Sequence, residues 1–425
     1  MIEGPGNRLR VGIDARSRTG STGGVQQFTA ALLHSLRELD GDGEEYLAFS
    51  YPDDRSWLTP ALGAHVRALD APLPATRRGL VGAARRAILS RAPFLRSLRA
   101  SLASRTVATV PHSDGTIERA GIEVMHLVRQ TAFLTDVPTL YHPWDLQHVH
   151  LPEFFTAAQR RSRDVMYRAF CQSADRVVAA SSWTKADLVK NMGVAEEKII
   201  VIPVAQDPAT YPIPSATDLV AVKASFNLPG RFLLYPAQTW PHKNHLRLLE
   251  AIAYLRDAAA TSINLVLTGF QNDYFPVIRT AVERLRLADQ VTFLGYVTPL
   301  QLQALYRLAV GMIFPSLFEG WGIPIVEAFQ AGTAVACSSA TSLPAMVGEG
   351  AIVFDPYEIE SIATAAGSLW SDDGRRQQLV ELGAARARLF DPGRIAATYR
   401  ALYRVLAGRT IGPEDEMVLS APAVV

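Results

Sequence analysis

The sequence has few of the features that mark secreted, membrane-spanning or nucleic-acid-binding proteins. Its only cysteines, Cys171 and Cys337, lack C-x-x-C spacing, so neither a disulfide framework nor a zinc site is indicated. No apolar run reaches the ~18 residues of a bilayer span, and the first ten residues contain no hydrophobic signal region. A net charge of +1 gives no general reason to expect nucleic-acid binding. We expect a cytoplasmic protein that is soluble or peripheral on the inner face of the membrane.

Strand and helix patterns alternate along the chain. Of the 425 residues, 48% are apolar, which allows two or three domains that each bury a core. Residues 10–15 predict a first strand, residues 20–24 form a glycine-rich loop before a helix, and the same order restarts at residues 232–237. Further strands are predicted at residues 123–128, 139–142, 174–180, 198–203, 263–268, 291–294, 309–314, 335–336 and 352–353.

The repeated strand and helix units predict an α/β protein with a doubly wound parallel sheet in each half. The proline-rich segment at residues 204–218 predicts the linker between the halves. We therefore predict two Rossmann-like domains that face a central cleft, comprising residues 1–205 and residues 206–425.

Residues 314–332 pass from a buried strand through a glycine-rich loop into a short helix. Glu319 lies in the loop and Glu327 is predicted in the first helical turn, so two carboxylates would face one small cavity. Gly320 and Gly322 would let the backbone approach a ligand, and the unpaired N–H groups beyond them suit anionic oxygens. The pattern also fits an ordinary strand, turn and helix, in which Glu327 is a favourable charge worth about 0.3–1 kcal/mol.

Three segments resemble one enzyme family. The segment EGWGIPIVE, from Glu319 to Glu327, resembles the E-x7-E signature of retaining nucleotide-sugar glycosyltransferases of the glycosyl transferases group 1 type, which have the GT-B fold. The segment WPHKNH resembles a second signature, whose lysine, here Lys243, binds the donor diphosphate. The segment VTFLGYV at residues 291–297 resembles a third, which lies against the nucleobase.

The resemblance implies a role for each matched residue. Glu319 would orient the sugar hydroxyls, Glu327 would hold the ribose diol, and Lys243 would neutralise the diphosphate. The backbone of residues 320–323 would contact sugar and phosphate, and a final helix at about residues 394–407 would cross back onto the first domain. The expected donor-binding residues are Gly23, Gly24, Gln238, His242, Lys243, Gly295, Tyr296, Glu319, Gly320, Trp321, Gly322, Ile323 and Glu327. The expected catalytic residues are Glu319, Lys243 and His142, and Trp144 and Asp145 are expected on the acceptor side.

Two positions depart from the family pattern. Trp144 stands where a histidine beside the donor sugar is expected, directly before the segment DLQH. Either His142, two residues earlier on the same strand face, supplies the polar contact, or the site works without an imidazole there. Gln238 stands where many members carry an arginine, so His242 or a group of the first domain would share the diphosphate charge.

No metal or organic cofactor is expected. The D-x-D motif at residues 40–42 is predicted to form a turn far from the cleft, and the histidines within residues 126–150 match no common zinc spacing. Without a carboxylate pair for Mg²⁺ or Mn²⁺, Lys243, backbone amides and a helix N-terminus would stabilise the leaving group.

An arginine-rich stretch begins at Arg77 and ends at Arg105, with eight arginines and no acidic residue. Its apolar residues recur every seven positions, so one helical face would be apolar and the other basic. Two interpretations stay open. The stretch is either a pair of surface helices docked on the first domain or an interfacial element that contacts anionic lipid and holds the acceptor.

Together these features predict a retaining, metal-independent hexosyltransferase. It would move a hexose from a nucleoside diphosphate sugar to a hydroxyl of a glycan or lipid-linked acceptor, and the segments WPHKNH and DLQHVHLPEFF favour mannose. Three alternatives remain: a sugar-nucleotide epimerase, a phosphorylase with a pyridoxal cofactor, and a non-catalytic nucleotide-sugar-binding protein.

Overall fold

The structure, a computed structural model, describes residues 8–18, 23–39, 43–71, 110–207, 212–422 and 425. Three sequence features lie outside these ranges: residues 20–22 of the first glycine-rich loop, the D-x-D motif at residues 40–42, and the arginine-rich stretch at residues 77–105. The described residues form two parallel sheets with helices between most successive strands, which confirms the predicted α/β class.

The first sheet has seven parallel strands in the order β3-β2-β1-β4-β5-β6-β7. The strands are β1 (Leu9–Asp14), β2 (Glu44–Ser50), β3 (Val66–Asp70), β4 (Val124–Leu127), β5 (Thr139–Tyr141), β6 (Arg176–Ala179) and β7 (Ile199–Val201). Strand β1 pairs with β2 in a register that sets Leu9 opposite Glu44 and Asp14 opposite Phe49. Most of these strands are buried, as parallel strands covered on both faces must be.

The second sheet has six parallel strands in the order β10-β9-β8-β11-β12-β13. The strands are β8 (Leu233–Pro236), β9 (Leu265–Thr268), β10 (Val291–Gly295), β11 (Gly311–Phe314), β12 (Val335–Ser338) and β13 (Ala351–Phe354). The strands β8, β9, β11 and β12 are buried along their whole length, so each one is a short apolar run in the sequence.

Helices connect the strands. In chain order they are α1 (Gly24–Glu38), α2 (Thr116–Arg119), α3 (Gln147–His150), α4 (Ala157–Ser173), α5 (Ser182–Met192), α6 (Ala216–Ser225), α7 (His245–Ala259), α8 (Phe275–Arg284), α9 (Pro299–Leu308), α10 (Ile323–Ala331), α11 (Leu343–Val347), α12 (Ile359–Ser371), α13 (Asp373–Ala387), α14 (Pro392–Leu406) and α15 (Pro413–Ser420). Among the described residues, none of these helices combines the length and the apolar character needed to cross a bilayer.

The order of each sheet reverses at one point, and these points determine where a ligand can bind. The connections run to opposite sides between β1 and β4 in the first sheet, and between β8 and β11 in the second. At such a point the loops after neighbouring strands diverge and leave a crevice at the carboxyl edge of the sheet. Gly23 and Gly24 follow β1, while Gln238 and Glu319 follow β8 and β11 respectively.

Helix α14 comes from the second half of the sequence but contacts the first sheet. Tyr403 Oη lies 2.7 Å from His126 Nδ1 on β4. The guanidinium of Arg404 donates from Nε to Glu44 Oε1 at 2.6 Å, at the start of β2. The helix also packs on α1, so it covers one face of the first sheet.

Candidate active site

An ion pair between Lys243 and Glu319 lies at the reversal point of the second sheet. Lys243 ends a 3-10 turn (Pro241–Lys243) after β8, and Glu319 lies in the loop after β11. Lys243 Nζ is 2.5 Å from Glu319 Oε1, and the side chains are 18% and 13% exposed. Lys243 lies just before helix α7, because Asn244 has a left-handed conformation (φ 61°) and α7 begins at His245.

Asn244 joins the loop that carries Lys243 to the loop that carries Glu319. Its side-chain Nδ2 donates to Pro315 O at 3.0 Å and to Pro356 O at 2.8 Å, and the residue is buried. These bonds fix the residue next to Lys243 against the neighbouring loop.

Two hydroxyl residues that the sequence analysis missed fix the backbone of Glu319. Thr341 Oγ1 donates to Glu319 O at 2.7 Å and accepts from Glu319 N at 3.1 Å. Ser342 Oγ donates to the same carbonyl at 3.1 Å. Thr341 has a positive φ of 54°, a costly conformation for a β-branched residue that persists only where its surroundings enforce it. These contacts hold the loop in place before any donor binds.

The helix after the loop differs from the expectation at Glu327. Because α10 (Ile323–Ala331) starts at Ile323, Glu327 lies in the second turn and is not a first-turn charge. Its carboxylate is buried, and Oε2 accepts a 2.7 Å hydrogen bond from Tyr306 Oη.

The side chain of Trp321 turns away from the cleft, because it is 3% exposed and packs against Phe390 with the ring centres 5.1 Å apart. Only the backbone of Trp321 is available to a donor.

The predicted glycines bring the two domains into close contact. A Cβ on Gly23 would lie 3.1 Å from Gln238 Nε2, and a Cβ on Gly24 would lie 2.9 Å from Ile323 Cδ1. Thus the start of α1 lies against the loop that contains Lys243 and against the first residue of α10. A larger residue at either position would require the side chain of Gln238 or Ile323 to move, and Gly23 also has a positive φ of 48° that favours glycine.

Asp145 of the first domain faces the ion pair across the cleft. Its Cβ lies 3.5 Å from the place where a Cβ on Gly320 would stand. Burial raises the pKa of the Asp145 carboxyl, and the negative charge of Glu319 adds to this increase, while the positive charges of Arg163 and Lys243 oppose it. The site therefore combines the Lys243 ammonium with carboxylates from both domains.

Comparison with known families accounts for this geometry. The family description "Glycosyl transferases group 1" matches residues 221–386, which include both Lys243 and Glu319. The description "Glycosyl transferase 4-like domain" matches residues 23–205. The first match includes all six strands of the second sheet, and the other includes strands β2 to β7 of the first sheet. The chain belongs to the group 1 glycosyltransferases.

Curated relatives of this glycosyltransferase include two that are similar over more than half of the chain. One is the O-antigen chain mannosyltransferase B of Escherichia coli, which is 27% identical over 253 residues, covering 59% of this chain and 66% of the relative. Another is the O-antigen chain mannosyltransferase RfbU of Salmonella typhimurium, 27% identical over 240 residues, or 56% of this chain and 60% of the relative. The matched part thus spans less than two thirds of the length of either relative.

A solved structure also has the same arrangement as this glycosyltransferase. Alr3699/HepE of Anabaena, in a crystal with UDP and glucose, superimposes with a TM-score of 0.68 at 18% identity. The superposition covers 94% of this chain and all of that one. At this identity the likeness establishes the fold, and the predicted two-domain GT-B architecture is confirmed.

His142, predicted to supply a polar contact to the donor, is buried in this glycosyltransferase. The imidazole is 2% exposed, and its Nε2 lies 3.2 Å from Tyr399 Oη on helix α14. Its ring packs against Phe28 and Trp144 at centroid distances of 5.2 and 5.0 Å. Burial lowers the pKa of His142 to about 3. It is therefore a neutral member of an aromatic cluster, which favours the alternative that the site works without an imidazole at this position.

His242 is also unsuited to replace the missing arginine as a fixed cation. Burial, together with the positive charge of Lys243, lowers the pKa of His242 well below its ordinary value. A neutral imidazole can donate a hydrogen bond to a phosphate oxygen, but it carries no fixed charge. The substitute at this position, Gln238, accepts a 2.8 Å hydrogen bond from Trp240 Nε1, so its side chain is held in place against Gly23.

The segment predicted to lie near the nucleobase, residues 291–297, forms β10 and the two residues after it. Gly295 has a φ of 67°, and its carbonyl accepts hydrogen bonds from Gly269 N at 2.8 Å and Thr268 Oγ1 at 2.7 Å. The next residue, Tyr296, is 61% exposed. The turn thus joins the loops after β9 and β10 and leaves an aromatic ring accessible. Within the described ranges, no group of three or more His, Cys, Asp or Glu side chains could hold a metal ion.

Proposed function

We propose that this chain transfers a hexose from a nucleoside diphosphate sugar to a hydroxyl group, with retention of configuration at the anomeric carbon and without a metal ion. The observation that carries the proposal is the ion pair of Lys243 and Glu319 at the reversal point of the second sheet. A reversal point is where open α/β sheets bind nucleotides, and Asp145 faces it from the other domain.

Lys243 is suited to the donor diphosphate. Its ammonium is a fixed positive charge that has no need of a bound metal, and it lies between the loops after β8 and β11. As the bond between the sugar and the diphosphate breaks, negative charge grows on the leaving oxygen. A preorganised cation stabilises that charge in the transition state. Backbone N–H groups at the start of α10 (Ile323–Ala331), after Gly322, would assist.

Glu319 is suited to the sugar. An ionised carboxylate accepts hydrogen bonds only, and sugar hydroxyls can donate them. Because Thr341 and Ser342 hold its backbone, Glu319 can orient the hexose with little loss of freedom on binding.

Retention would follow from attack on the face that the leaving group occupies. In this reaction the bond from the anomeric carbon to the phosphate oxygen breaks, and a bond from that carbon to the acceptor oxygen forms. The acceptor proton passes to the departing phosphate oxygen. No protein nucleophile or general base is needed, and His142, buried and neutral, is not assigned either role.

The relatives support a more specific proposal about the substrates. Two of them are named as O-antigen chain mannosyltransferases, which supports mannose as the sugar and a growing glycan, free or lipid-linked, as the acceptor. The similar structure contains UDP and glucose. The nucleotide must therefore be determined by experiment.

On its sequence alone, the arginine-rich stretch at residues 77–105 is proposed to contact anionic lipid. Co-sedimentation with anionic and neutral vesicles would test this contact.

The first experiment is thermal stabilisation by UDP, GDP, ADP and dTDP, with and without EDTA. A nucleotide at 100 times its dissociation constant should add about 2.7 kcal/mol to stability. The variant Lys243→Ala should lose most of this response. A matched control is Lys185→Ala, because Lys185 is also partly buried and pairs with Glu196 in the first domain, 3.3 Å away.

The outcomes separate the alternatives. Stabilisation by one nucleotide that Lys243→Ala abolishes and Lys185→Ala retains supports the proposal and identifies the donor class. Equal responses in all three proteins would remove Lys243 from the site. Binding followed by no transfer to any acceptor would favour a non-catalytic binding protein, and loss of activity in EDTA would contradict metal independence. The anomeric configuration of the product, read by NMR, tests retention.

A further inference from the structure

The loop that carries Glu319 is held by the first domain as well as by the second. Phe318, directly before Glu319, is 2% exposed. It forms a small apolar cluster with Leu317 and with Leu151 and Trp183 of the first domain, apart from the two large cores. A side chain of the second domain is thus buried against residues of the first. We call this cluster the Phe318 contact.

The ring of Phe318 has defined partners in the Phe318 contact. It meets Trp183 edge-on, with centroids 5.5 Å apart and planes at 79°, and it lies 5.2 Å from the ring of His150. Edge-on and offset arrangements are the favoured ones for aromatic pairs. His150 Nε2 is 2.7 Å from Asp187 Oδ1, so this wall of the contact is attached to helix α5, which also carries Trp183.

Gly320, on the other side of Glu319, is also against the first domain. A Cβ on Gly320 would stand 2.5 Å from Trp144 O, and Gly320 O lies 3.4 Å from Thr184 Oγ1. Trp144 has a φ of 67°, rare for an aromatic residue, and its Nε1 donates to Val128 O at 2.7 Å. The residues before and after Glu319 are therefore both fixed by the first domain.

We propose that Phe318 and Trp183 are positioning residues: their contact holds the domains closed and places the Glu319 carboxylate for reaction. This inference rests on the proposed function, since it assigns Glu319 a task in sugar transfer. The ammonium of Lys243 lies on the second domain, so nucleotide can bind without the Phe318 contact. Turnover, in contrast, requires Glu319 to be correctly placed, and small displacements of such a group are costly.

A double-mutant cycle tests the contact. Phe318→Ala, Trp183→Ala and the double variant are assayed with GDP-mannose and UDP-glucose, and release of the nucleoside diphosphate in the presence of an octyl glycoside acceptor is measured. Each single variant should lower kcat about 100-fold. The donor KM should stay within about twofold of the wild-type value, because the donor binds to the second domain without the Phe318 contact. The double variant should be no slower than the worse single one, since both remove the same contact.

Two further variants distinguish positioning from general loosening of the structure. Trp183→Phe keeps an aromatic ring opposite Phe318 and should restore most of kcat. Phe170 is the matched control, because it is also 2% exposed and packs on Tyr141 within the first domain, 5.5 Å away. Phe170→Ala should lower the melting temperature but leave the kcat of the folded protein unchanged. If Phe170→Ala lowers kcat as strongly as Phe318→Ala, the inference fails.

Small-angle X-ray scattering gives a readout that does not depend on activity. Without ligand, Phe318→Ala and Trp183→Ala should have a larger radius of gyration than the wild type, and Phe170→Ala should not. An unchanged radius in both contact variants overturns the inference, as do additive losses of kcat in the double variant. A wild-type protein that never turns over donor would instead refute the proposed function, and the scattering result would still decide whether the contact holds the domains closed.

Discussion

Replacing Glu319 with glutamine should strengthen the binding of a nucleoside diphosphate while it slows sugar transfer. Without donor, the Lys243 ammonium is neutralised by the Glu319 carboxylate, 2.5 Å away. An incoming diphosphate has to share that cation with a carboxylate that repels it. Glutamine keeps the shape of the side chain and removes its charge, so the cation becomes fully available to the phosphate oxygens.

The size of the effect follows from the distance between the paired atoms. A phosphate oxygen in contact with Lys243 would lie about 2.8 Å from Nζ. Together with the 2.5 Å of the ion pair, this places it at most about 5.3 Å from Glu319 Oε1. At an effective dielectric constant of about 20, two unit charges at that distance repel by about 3 kcal/mol. Salt and the partial exposure of the pair reduce the difference to about 1–2 kcal/mol, or roughly tenfold in Kd.

Isothermal titration calorimetry at two salt concentrations measures this effect, with the nucleotide that stabilises the wild type. Glu250→Gln is the control, because Glu250 pairs with Arg284 at 3.4 Å and has no contact with the ion pair. A dissociation constant that is unchanged or weaker in Glu319→Gln would refute the reasoning. A gain that persists equally at high salt would show that charge is not its cause. Turnover of the donor sugar should fall in the same variant.

Three further predictions follow from packing and burial. Gly320→Ala should lower turnover about 100-fold, because its Cβ would collide with Trp144 O and displace the reacting groups. The control Gly230→Ala, with open space around it, should be active. Equal activity of the two variants would contradict the predicted collision. Burial raises the pKa of both cysteines to about 12, so iodoacetamide at pH 8 should label them only in denaturant. Rapid labelling of the native protein would contradict the burial of these thiols. The folded pKa of His142 is about 3 and its ordinary value is 6.5, so the unfolded chain binds more protons between these values and stability falls as the pH drops through that window. At pH 5 the buried, neutral imidazole should lower the free energy of unfolding by about 2 kcal/mol. His142→Gln should therefore flatten the dependence of the melting temperature on pH, and an equally steep dependence in the variant would contradict the lowered pKa of His142.

The strands of the second sheet were all predicted from the sequence, because parallel strands buried on both faces require continuous apolar runs. In the first sheet, β2 (Glu44–Ser50) and β3 (Val66–Asp70) were missed. Strand β2 begins with two acidic residues. Their burial is compensated by ion pairs: Arg404, far along the chain, pairs with Glu44 at 2.6 Å, and Arg10 (3.0 Å) and Arg67 pair with Glu45. A local pattern cannot contain that information.

Some contacts of the candidate site were also predictable from the sequence and others were not. The meeting of Lys243 and Glu319 was predictable, since loops after neighbouring strands of a parallel sheet share one edge. The hydrogen bonds from Thr341 to the Glu319 backbone were not predictable. They depend on a positive φ at Thr341, a conformation that β-branched residues rarely adopt. The burial of His142 was not predictable either, because its partner, Tyr399, lies 257 residues later.

The return of helix α14 (Pro392–Leu406) to the first sheet has a consequence for protein synthesis. The last strand of that sheet ends at Val201, about 200 residues before the helix is complete. At about 5–20 residues per second, roughly 10–40 s pass on the ribosome between these events. During this interval His126 and His142 lack the tyrosines that cover them. The first sheet therefore acquires the helix that covers one of its faces only after the second half of the chain has been synthesised.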